Sequence, residues 1–435
     1  MRSAENLWDE GSPGSDFDAE FSQPVHRIKS LNDPTANTGI PDGVTLLFDR
    51  WFKPLTEMNL FILNHAKDRR NLFNTANSYA DDLANYEMYC DYKGITWRDA
   101  TTSDMEFYHS ILSSGVSWIT RKTFSPSTIA RRIGTVKHFY EFCITKGFIC
   151  DSASSPHRYK GKASRGTKVV KVKFIDLRSL RQILTVLGPS PEENTASPTR
   201  DRTVAEYLFL IGGRLEDAVA LTMTDVLNWE LELRERPDRF LVEHTVVGKG
   251  NVQRTVLVPR PLVSRIIKYI ETTRAQIITL ALKIKGPGWA PPNKIFLNGI
   301  ESNHRDLGNA ASADTLGRSF VEGVRKAGVL KAEDRVLFDA DGKPFREGGS
   351  PKTEIVLSPK HSIHHLRHTF VAVIADGLRR HGNSAPFKVI QMLLGHSWLS
   401  TTVDTYGGSL ALDEPDIADA YETVLRSYNF HEDVE

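Results

Sequence analysis

The chain has 435 residues, of which 40% are hydrophobic and 25% are charged. This length predicts two or three domains with sizeable cores and excludes a small disulfide-stapled scaffold. No apolar run reaches the roughly 18 residues that a membrane helix needs, and the three cysteines lack metal-ligand spacing. The acidic N-terminus has no signal-peptide pattern, so the sequence predicts a reduced, cytoplasmic protein without a membrane partner.

Charge is distributed unevenly along the chain, although the formal net charge is only +1. Residues 1–23 hold six acids and one base, and residues 411–435 hold eight acids and one base. The remaining chain carries 53 basic and 40 acidic residues, a net charge of +13. Such a body suits a phosphate backbone, although on charge alone a solvated surface explains it equally well.

The first 43 residues are rich in Ser, Gly, Pro and Asp without periodicity, which predicts a disordered acidic tail. Residues 44–152 show helical periodicity and predict an all-helical domain. Its last helix begins at Ser125, just before a proline. That helix carries three basic residues off its apolar stripe, which suits DNA binding, although solubilising charge is the commoner reason for such a pattern: Arg131, Arg132 and Lys137.

Residues 153–173 are polar and basic and predict an interdomain linker, with Arg158, Lys160, Lys162 and Arg165 as candidate DNA contacts. A second domain is predicted over residues 174–410. It begins with helices, continues with a hairpin of runs 241–247 and 252–258, and returns to helices, with surface loops around 286–300 and 335–358. The predicted fold class is mainly α with a small antiparallel β-sheet (α+β).

Two short segments of this domain place basic residues where they can approach a ligand. Arg214 follows two glycines at a helix boundary, and Asp217 can hold its guanidinium by a charge-assisted contact. Lys249 lies at the predicted hairpin tip, where its flexible ammonium can supply a proton or a point charge. Taken alone, an ordinary helix-surface pair and a solvated lysine explain both features.

A third segment contains four histidines in eight residues. His364 and Arg367 lie one helical turn apart on the same face. His364 and His368 also have the spacing of two zinc ligands, but His365 stands where a metalloprotease has its general-base glutamate. Because no third-ligand signature follows, the sequence favours a site without metal.

The fourth segment holds His396 and Tyr406 near a short turn that Gly395 opens. Each alone is more often structural. Together with the other segments they supply two arginines, a lysine, two histidines and a tyrosine, the groups that metal-free attack on a phosphodiester requires. In this interpretation Tyr406 is the nucleophile and Lys249 is the general acid for the leaving 5′ oxygen.

The motifs GGRLEDAVALTMTDV, VVGKGNVQRTVLVP, HHLRHTF and LLGHSWLSTTVDTY occur in an order and spacing that resembles the tyrosine recombinases of the phage integrase type. The resemblance covers about residues 175–410. The helical region with SPSTIARRIGTVKHFYEFC is similar to the core-binding domain of that family. The resemblance implies a helical DNA-binding domain followed by a catalytic domain.

The family's roles, carried onto this sequence, imply a catalytic set of Arg214, Lys249, His364, Arg367, His396 and Tyr406, with Asp217 in support. The resemblance implies a 3′-phosphotyrosyl intermediate that needs neither ATP nor metal. It further implies double-stranded DNA with specific sites as substrate, a homotetramer that passes through a Holliday junction, and accessory DNA-bending proteins. The sequence of residues 411–435 predicts an amphipathic acidic helix, which would either pass to a neighbouring subunit or dock on its own domain.

Two alternatives remain open on the sequence. A type IB topoisomerase shares the chemistry, but it usually has a lysine where this chain has His364. A non-catalytic DNA-binding factor would not require all six catalytic residues. Within recombinases, the extra length in the N-terminal tail and in residues 286–358 favours an integrase or transposase of a mobile element.

Overall fold

The computed structural model describes residues 25–29, 40, 43–66, 73–117, 121–161, 174–190, 196–247, 253–339, 344–347, 350–380, 389–390 and 393–394. These residues form a mainly helical structure with small two-stranded sheets, which confirms the predicted α+β class. Among them, no helix is both long and apolar enough to cross a membrane. The chain divides into two compact units, residues 1–168 with 332–356, and residues 169–331 with 357–435.

The first unit is built on four helices whose buried faces meet in one core rich in tyrosine. Tyr86 and Tyr140 are both buried, and their hydroxyl oxygens are 2.9 Å apart. Ser125 caps the fourth helix as predicted, because its side chain accepts a hydrogen bond from the backbone N–H of Thr128. The helices are α1 (Thr56–Ala66), α2 (Phe73–Lys93), α3 (Thr102–Ser114) and α4 (Pro126–Thr145).

A short strand pair corrects two predictions for this unit. β1 (His26–Lys29) pairs in antiparallel fashion with β2 (Thr45–Phe48), so the region 1–43 is not disordered throughout and the unit is not purely helical. Buried Val25 anchors β1 in the core, and Arg27 forms an ion pair with Asp81 at 2.8 Å. The strand has only four residues, too few for a period-two pattern to stand out from polar surroundings.

The second unit surrounds a larger core to which helices and a hairpin contribute. The predicted hairpin is confirmed, with Thr245 opposite Thr255 in the register. Between the helices Ala313–Lys326 and His364–Arg380 the chain leaves this unit. The elements are α5 (Leu177–Leu187), α6 (Arg200–Leu210), α7 (Leu215–Ala220), α8 (Met223–Glu235), β3 (Leu241–Val247), β4 (Gln253–Pro259), α9 (Arg260–Tyr269), α10 (Ala275–Lys285), α11 (Ala313–Lys326) and α12 (His364–Arg380).

The region that follows α11 contains strands where the sequence predicts a surface loop. β5 (Leu330–Val336) pairs with β8 (Thr353–Pro359), and the short β6 (Arg346–Glu347) pairs with β7 (Ser350–Pro351). Residues 332–356 belong to the first compact unit. The Val336 N–H donates to the Arg121 carbonyl at 2.8 Å, which is a contact between residues distant in sequence and explains why local turn signals did not reveal the pairing.

Candidate active site

A glycine turn places Arg214 at the start of a helix. α6 ends at Leu210, and Gly212 adopts a φ of +59°, a conformation that favours glycine. A Cβ at this position would lie 2.5 Å from Cδ1 of Phe370 on α12. The turn therefore brings the Arg214 segment against α12, and Arg214 becomes the N-cap residue of α7.

Asp217 supports the Arg214 segment differently from the prediction. Its Oδ2 atom accepts a hydrogen bond from the backbone N–H of Arg214 at 2.7 Å. Its carboxylate forms a buried ion pair with the guanidinium of Arg254 on β4, where the sequence analysis expected the side chain of Arg214. Asp217 thus fixes the backbone of Arg214, while its ion-pair partner is Arg254 of the hairpin.

The first turn of α12 carries His364 and Arg367, as the spacing predicts. His364 is exposed, whereas Arg367 is buried. Arg367 donates from Nη1 to the Gly212 carbonyl at 2.6 Å and from Nη2 to the Leu394 carbonyl at 3.0 Å. These two hydrogen bonds tie α12 to the glycine turn and to the residues that precede Gly395 in sequence.

The cluster carries more positive than negative charge. Burial, followed by the charges of Arg214 and Arg254, lowers the pKa of Arg367 from its ordinary value to about 9. Burial also lowers the pKa of Arg254, an effect that Asp217 opposes. Arg367 stays protonated at neutral pH, so the cluster holds three guanidinium groups and one carboxylate, a balance that favours an anion.

Arg254 is a member of this cluster that the sequence did not reveal. It lies on the same face of β4 as Val256 and Val258, which are both buried in the core. A charged residue at an inward position of a strand requires a buried partner, and this departure from the pattern was the available signal.

Not every predicted catalytic residue lies in the described ranges. Lys249, His396 and Tyr406 lie outside them, as do Lys162 and Arg165. The structure therefore brings together Arg214, Asp217 and Arg367, with His364 at the start of the same helix as Arg367.

The basic residues of α4 make contacts within the first unit. Arg131 forms an ion pair with the buried Asp82, and half of its side chain remains exposed. Arg132 differs from the expectation that it stands off the packed face, because it is buried and lies over the ring of Phe124 at 4.5 Å. The amphipathic pattern could not separate the two because they are adjacent on the edge of the apolar stripe.

The other candidate DNA contacts of this unit differ in exposure, since Lys137 is partly buried whereas Arg158 and Lys160 are exposed. Lys137 donates to the Tyr159 carbonyl at 3.2 Å. Arg158 pairs with Asp151 at 2.5 Å, with half of its side chain exposed, and Lys160 is exposed. Arg158 and Lys160 thus keep positive charge on the surface.

Fold and site together define a two-unit protein with a largely buried, positively charged arginine cluster. Comparisons with known proteins show what this chain is similar to. The family model described as the phage integrase N-terminal SAM-like domain matches residues 63–147. The tyrosine recombinase XerD of Rickettsia bellii (strain RML369-C) is 23% identical over 330 residues, covering 76% of this chain and 86% of the relative. The tyrosine recombinase XerC of Roseiflexus sp. (strain RS-1) is 27% identical over 355 residues, covering 78% of this chain and 85% of the relative.

Among solved structures, the XerH site-specific recombinase bound to palindromic difH aligns with a TM-score of 0.45 and 15% identity, covering 84% of this chain and 88% of that chain. A lambda integrase dimer bound to a COC′ core site aligns with a TM-score of 0.44 and 15% identity, covering 82% of this chain and 79% of that chain. Over about three quarters of its length the chain is similar to tyrosine recombinases, and this similarity supports a tyrosine-type site-specific recombinase, an enzyme that cuts and rejoins DNA.

Proposed function

We propose that this recombinase uses Tyr406 as its nucleophile. The phenol oxygen attacks the scissile phosphorus, the P–O bond to the 5′ oxygen breaks, and a 3′-phosphotyrosyl bond forms. Lys249 protonates the departing 5′ oxygen. The reverse reaction with a different 5′ hydroxyl rejoins the strands, so bond energy is conserved and neither ATP nor a metal is required.

The observation that carries this proposal is the convergence of Arg214 and Arg367 in a cluster with excess positive charge. Negative charge on the phosphate oxygens grows as the five-coordinate transition state forms, so fixed guanidinium groups stabilise that state more than the ground state. His364, exposed at the start of α12, and His396 hydrogen-bond the same phosphate or assist proton transfer.

The proposed substrate is double-stranded DNA with specific recombination sites, bound by a homotetramer that passes through a Holliday junction, with accessory DNA-bending proteins as further partners. Residues 411–435 act as the helix that one subunit passes to its neighbour. We further propose an integrase or transposase of a mobile element that acts in the cytoplasm. The support for the mobile-element role is the additional length at the N-terminus and between residues 286 and 358.

Exposure selects the DNA contacts that we propose from the basic residues of the first unit. Arg131, Lys137, Arg158 and Lys160 remain candidates, together with Lys162 and Arg165 in the basic linker, and each would contact phosphates rather than bases. Arg132 is removed from the set because its buried guanidinium is used within the unit.

The test uses a library of nicked duplexes with a randomised centre, because the recognised sequence is not known. Attack next to a nick releases a short fragment and traps the covalent adduct. We expect only a restricted set of DNA sequences to stay covalently attached to the full-length protein through denaturing washes. Retention of all sequences equally would favour a type IB topoisomerase, and the absence of any adduct would refute the proposed chemistry.

A further inference from the structure

Arg254 occupies the centre of the contacts that join the segments of the active site. Its side chain is only 3% exposed, and it faces the carboxylate of Asp217, which is 2% exposed. Its Nη1 atom also donates to the carbonyl of Leu394 at 3.3 Å. One guanidinium thus connects the hairpin, α7 and the residues just before Gly395.

Each of the two acceptors that Arg254 uses also serves one of the arginines assigned to the phosphate. Asp217 Oδ2 accepts from the backbone N–H of Arg214 at 2.7 Å. The Leu394 carbonyl accepts from Nη2 of Arg367 at 3.0 Å. A displacement of Arg254 would therefore be felt at both phosphate-binding segments, and through Leu394 at the chain that leads to His396.

Charge gives Arg254 a second effect. Asp217 is a buried carboxylate whose field reaches both Arg254 and Arg367. A buried carboxylate requires a cationic partner. Without Arg254, two available partners are the guanidinium groups of Arg214, whose backbone Asp217 already holds, and of Arg367, which the charge of Asp217 reaches. An arginine paired with Asp217 is withdrawn from the phosphate.

We propose that Arg254 is a positioning residue for DNA cleavage, which occupies Asp217 and the Leu394 carbonyl so that Arg214 and Arg367 stay directed at the scissile phosphate. This inference rests on the proposed function. Lysine cannot replace Arg254, because one ammonium group lacks the planar fork that reaches a carboxylate and a carbonyl together.

Arg265 provides a matched control within the same unit. Its Nε atom contacts the buried carboxylate of Glu206 at 2.7 Å, and its Nη2 atom donates to the Pro189 carbonyl at 2.6 Å. It is therefore a buried arginine with the same two kinds of acceptor, but Glu206 forms ion pairs with Arg202 and Arg265 and not with the arginines assigned to the phosphate.

The experiment compares Arg254→Lys with Arg265→Lys in the full chain, using a nicked duplex that the wild-type protein retains. Three quantities are measured: the single-turnover rate of adduct formation at saturating DNA, the DNA dissociation constant and the melting temperature. For Arg254→Lys we expect the rate to fall about 10- to 100-fold, as for a misaligned catalytic group, while the dissociation constant changes by less than about threefold. Arg265→Lys should lose melting temperature with a nearly unchanged rate.

A second pair of variants keeps the test valid if Arg254→Lys folds poorly. Arg254→Met leaves Asp217 unpaired, whereas Arg254→Met with Asp217→Asn removes both charges, and a buried pair removed together usually leaves a protein that folds. We expect the double variant to form adduct faster than Arg254→Met, because no free carboxylate competes for Arg214 and Arg367, but more slowly than wild type.

A wild-type rate for folded Arg254→Lys or for the double variant would overturn the positioning role. So would an equal loss of rate in Arg265→Lys. The absence of adduct with the wild-type protein would instead refute the proposed function, so the two failures are distinguishable.

Discussion

Two buried arginine clusters in the second unit show how similar groups serve different purposes. Glu206 accepts from Arg202 at 2.6 Å and from Arg265 at 2.7 Å, so two guanidinium groups share one carboxylate. The remaining donors of these arginines reach backbone carbonyls such as those of Gly188 and Pro189. This cluster connects loop to helix and is internally satisfied.

The cluster around Asp217 also combines guanidinium groups with a carboxylate, but it has a larger excess of positive charge. It holds three guanidinium groups, those of Arg214, Arg254 and Arg367, and a single carboxylate, which pairs with Arg254. The charges of Arg214 and Arg254 contribute to the lowered pKa of Arg367. Excess positive charge costs folding stability, and an anion relieves that cost. We infer that the larger excess of guanidinium groups over carboxylates suits the Asp217 cluster, rather than the Glu206 cluster, to an anionic ligand.

The largest expected effect is on cleavage by Arg367→Ala. Removal of this guanidinium takes away charge stabilisation felt most strongly in the transition state, so the single-turnover rate should fall about 10²- to 10³-fold at saturating DNA. Adduct formation on a retained nicked duplex measures it, with Arg265→Ala as the control. Cleavage by Arg367→Ala at the rate of Arg265→Ala would remove Arg367 from the phosphate clamp.

Glu206→Gln should lower the stability of the protein while leaving the cleavage rate nearly unchanged. It leaves Arg202 and Arg265 buried without their carboxylate, a loss worth about 3–5 kcal/mol of unfolding free energy. Denaturant unfolding measures the loss, and the adduct rate per folded molecule should stay within about twofold of wild type because transition-state contacts are untouched. A selective loss of rate without loss of stability would contradict the separation of the two clusters.

Sulfate should stabilise the wild-type protein by occupying the Asp217 cluster. The pKa of Arg367 in the folded protein is about 9, below its ordinary value, so its protonated form is penalised on folding. Above about pH 9 the unfolded chain binds a proton that the folded protein has lost, and the penalty is therefore fully present below about pH 9. Sulfate at 100 times its dissociation constant would add about 2.7 kcal/mol.

The measurement compares melting temperatures in sulfate and chloride at equal ionic strength. General salting effects of sulfate act on every variant, so the informative quantity is the difference between wild type and Arg367→Ala. Equal stabilisation of the two proteins would mean that the cluster does not bind the anion.

A smaller effect is expected on the surface of the first unit. Arg158→Ala should weaken DNA binding by a few fold for all sequences and reduce the slope of log affinity against log salt by about 0.9, the contribution of one phosphate contact. Titrations at several salt concentrations measure this slope. An unchanged slope would mean that Arg158 makes no phosphate contact and serves only in its ion pair with Asp151.

Local signals in the sequence account for the parts of the structure that were predicted correctly. The hairpin of β3 and β4 has β-rich runs around a glycine turn, and Ser125 with the following proline marks a helix start. The Arg214 segment was found because two glycines interrupt a helix.

The remaining features depend on contacts between residues distant in sequence. The partner of Asp217 is Arg254, 37 positions away, and periodicity carries no information about which carboxylate a buried arginine meets. Arg132 could not be separated from Arg131 because burial at the edge of a helical stripe depends on the neighbouring helix. The four residues of β1 pair with a strand whose position the tail composition does not indicate.

The central claim is that Tyr406 becomes covalently joined to DNA. The most direct test incubates the full-length protein with a retained nicked duplex in EDTA without ATP, digests the adduct with trypsin and identifies the peptide by mass spectrometry. The account predicts nucleotide on the peptide that contains Tyr406, and normal DNA binding without any adduct for Tyr406→Phe. Nucleotide on another residue, or an adduct formed by Tyr406→Phe, would contradict it.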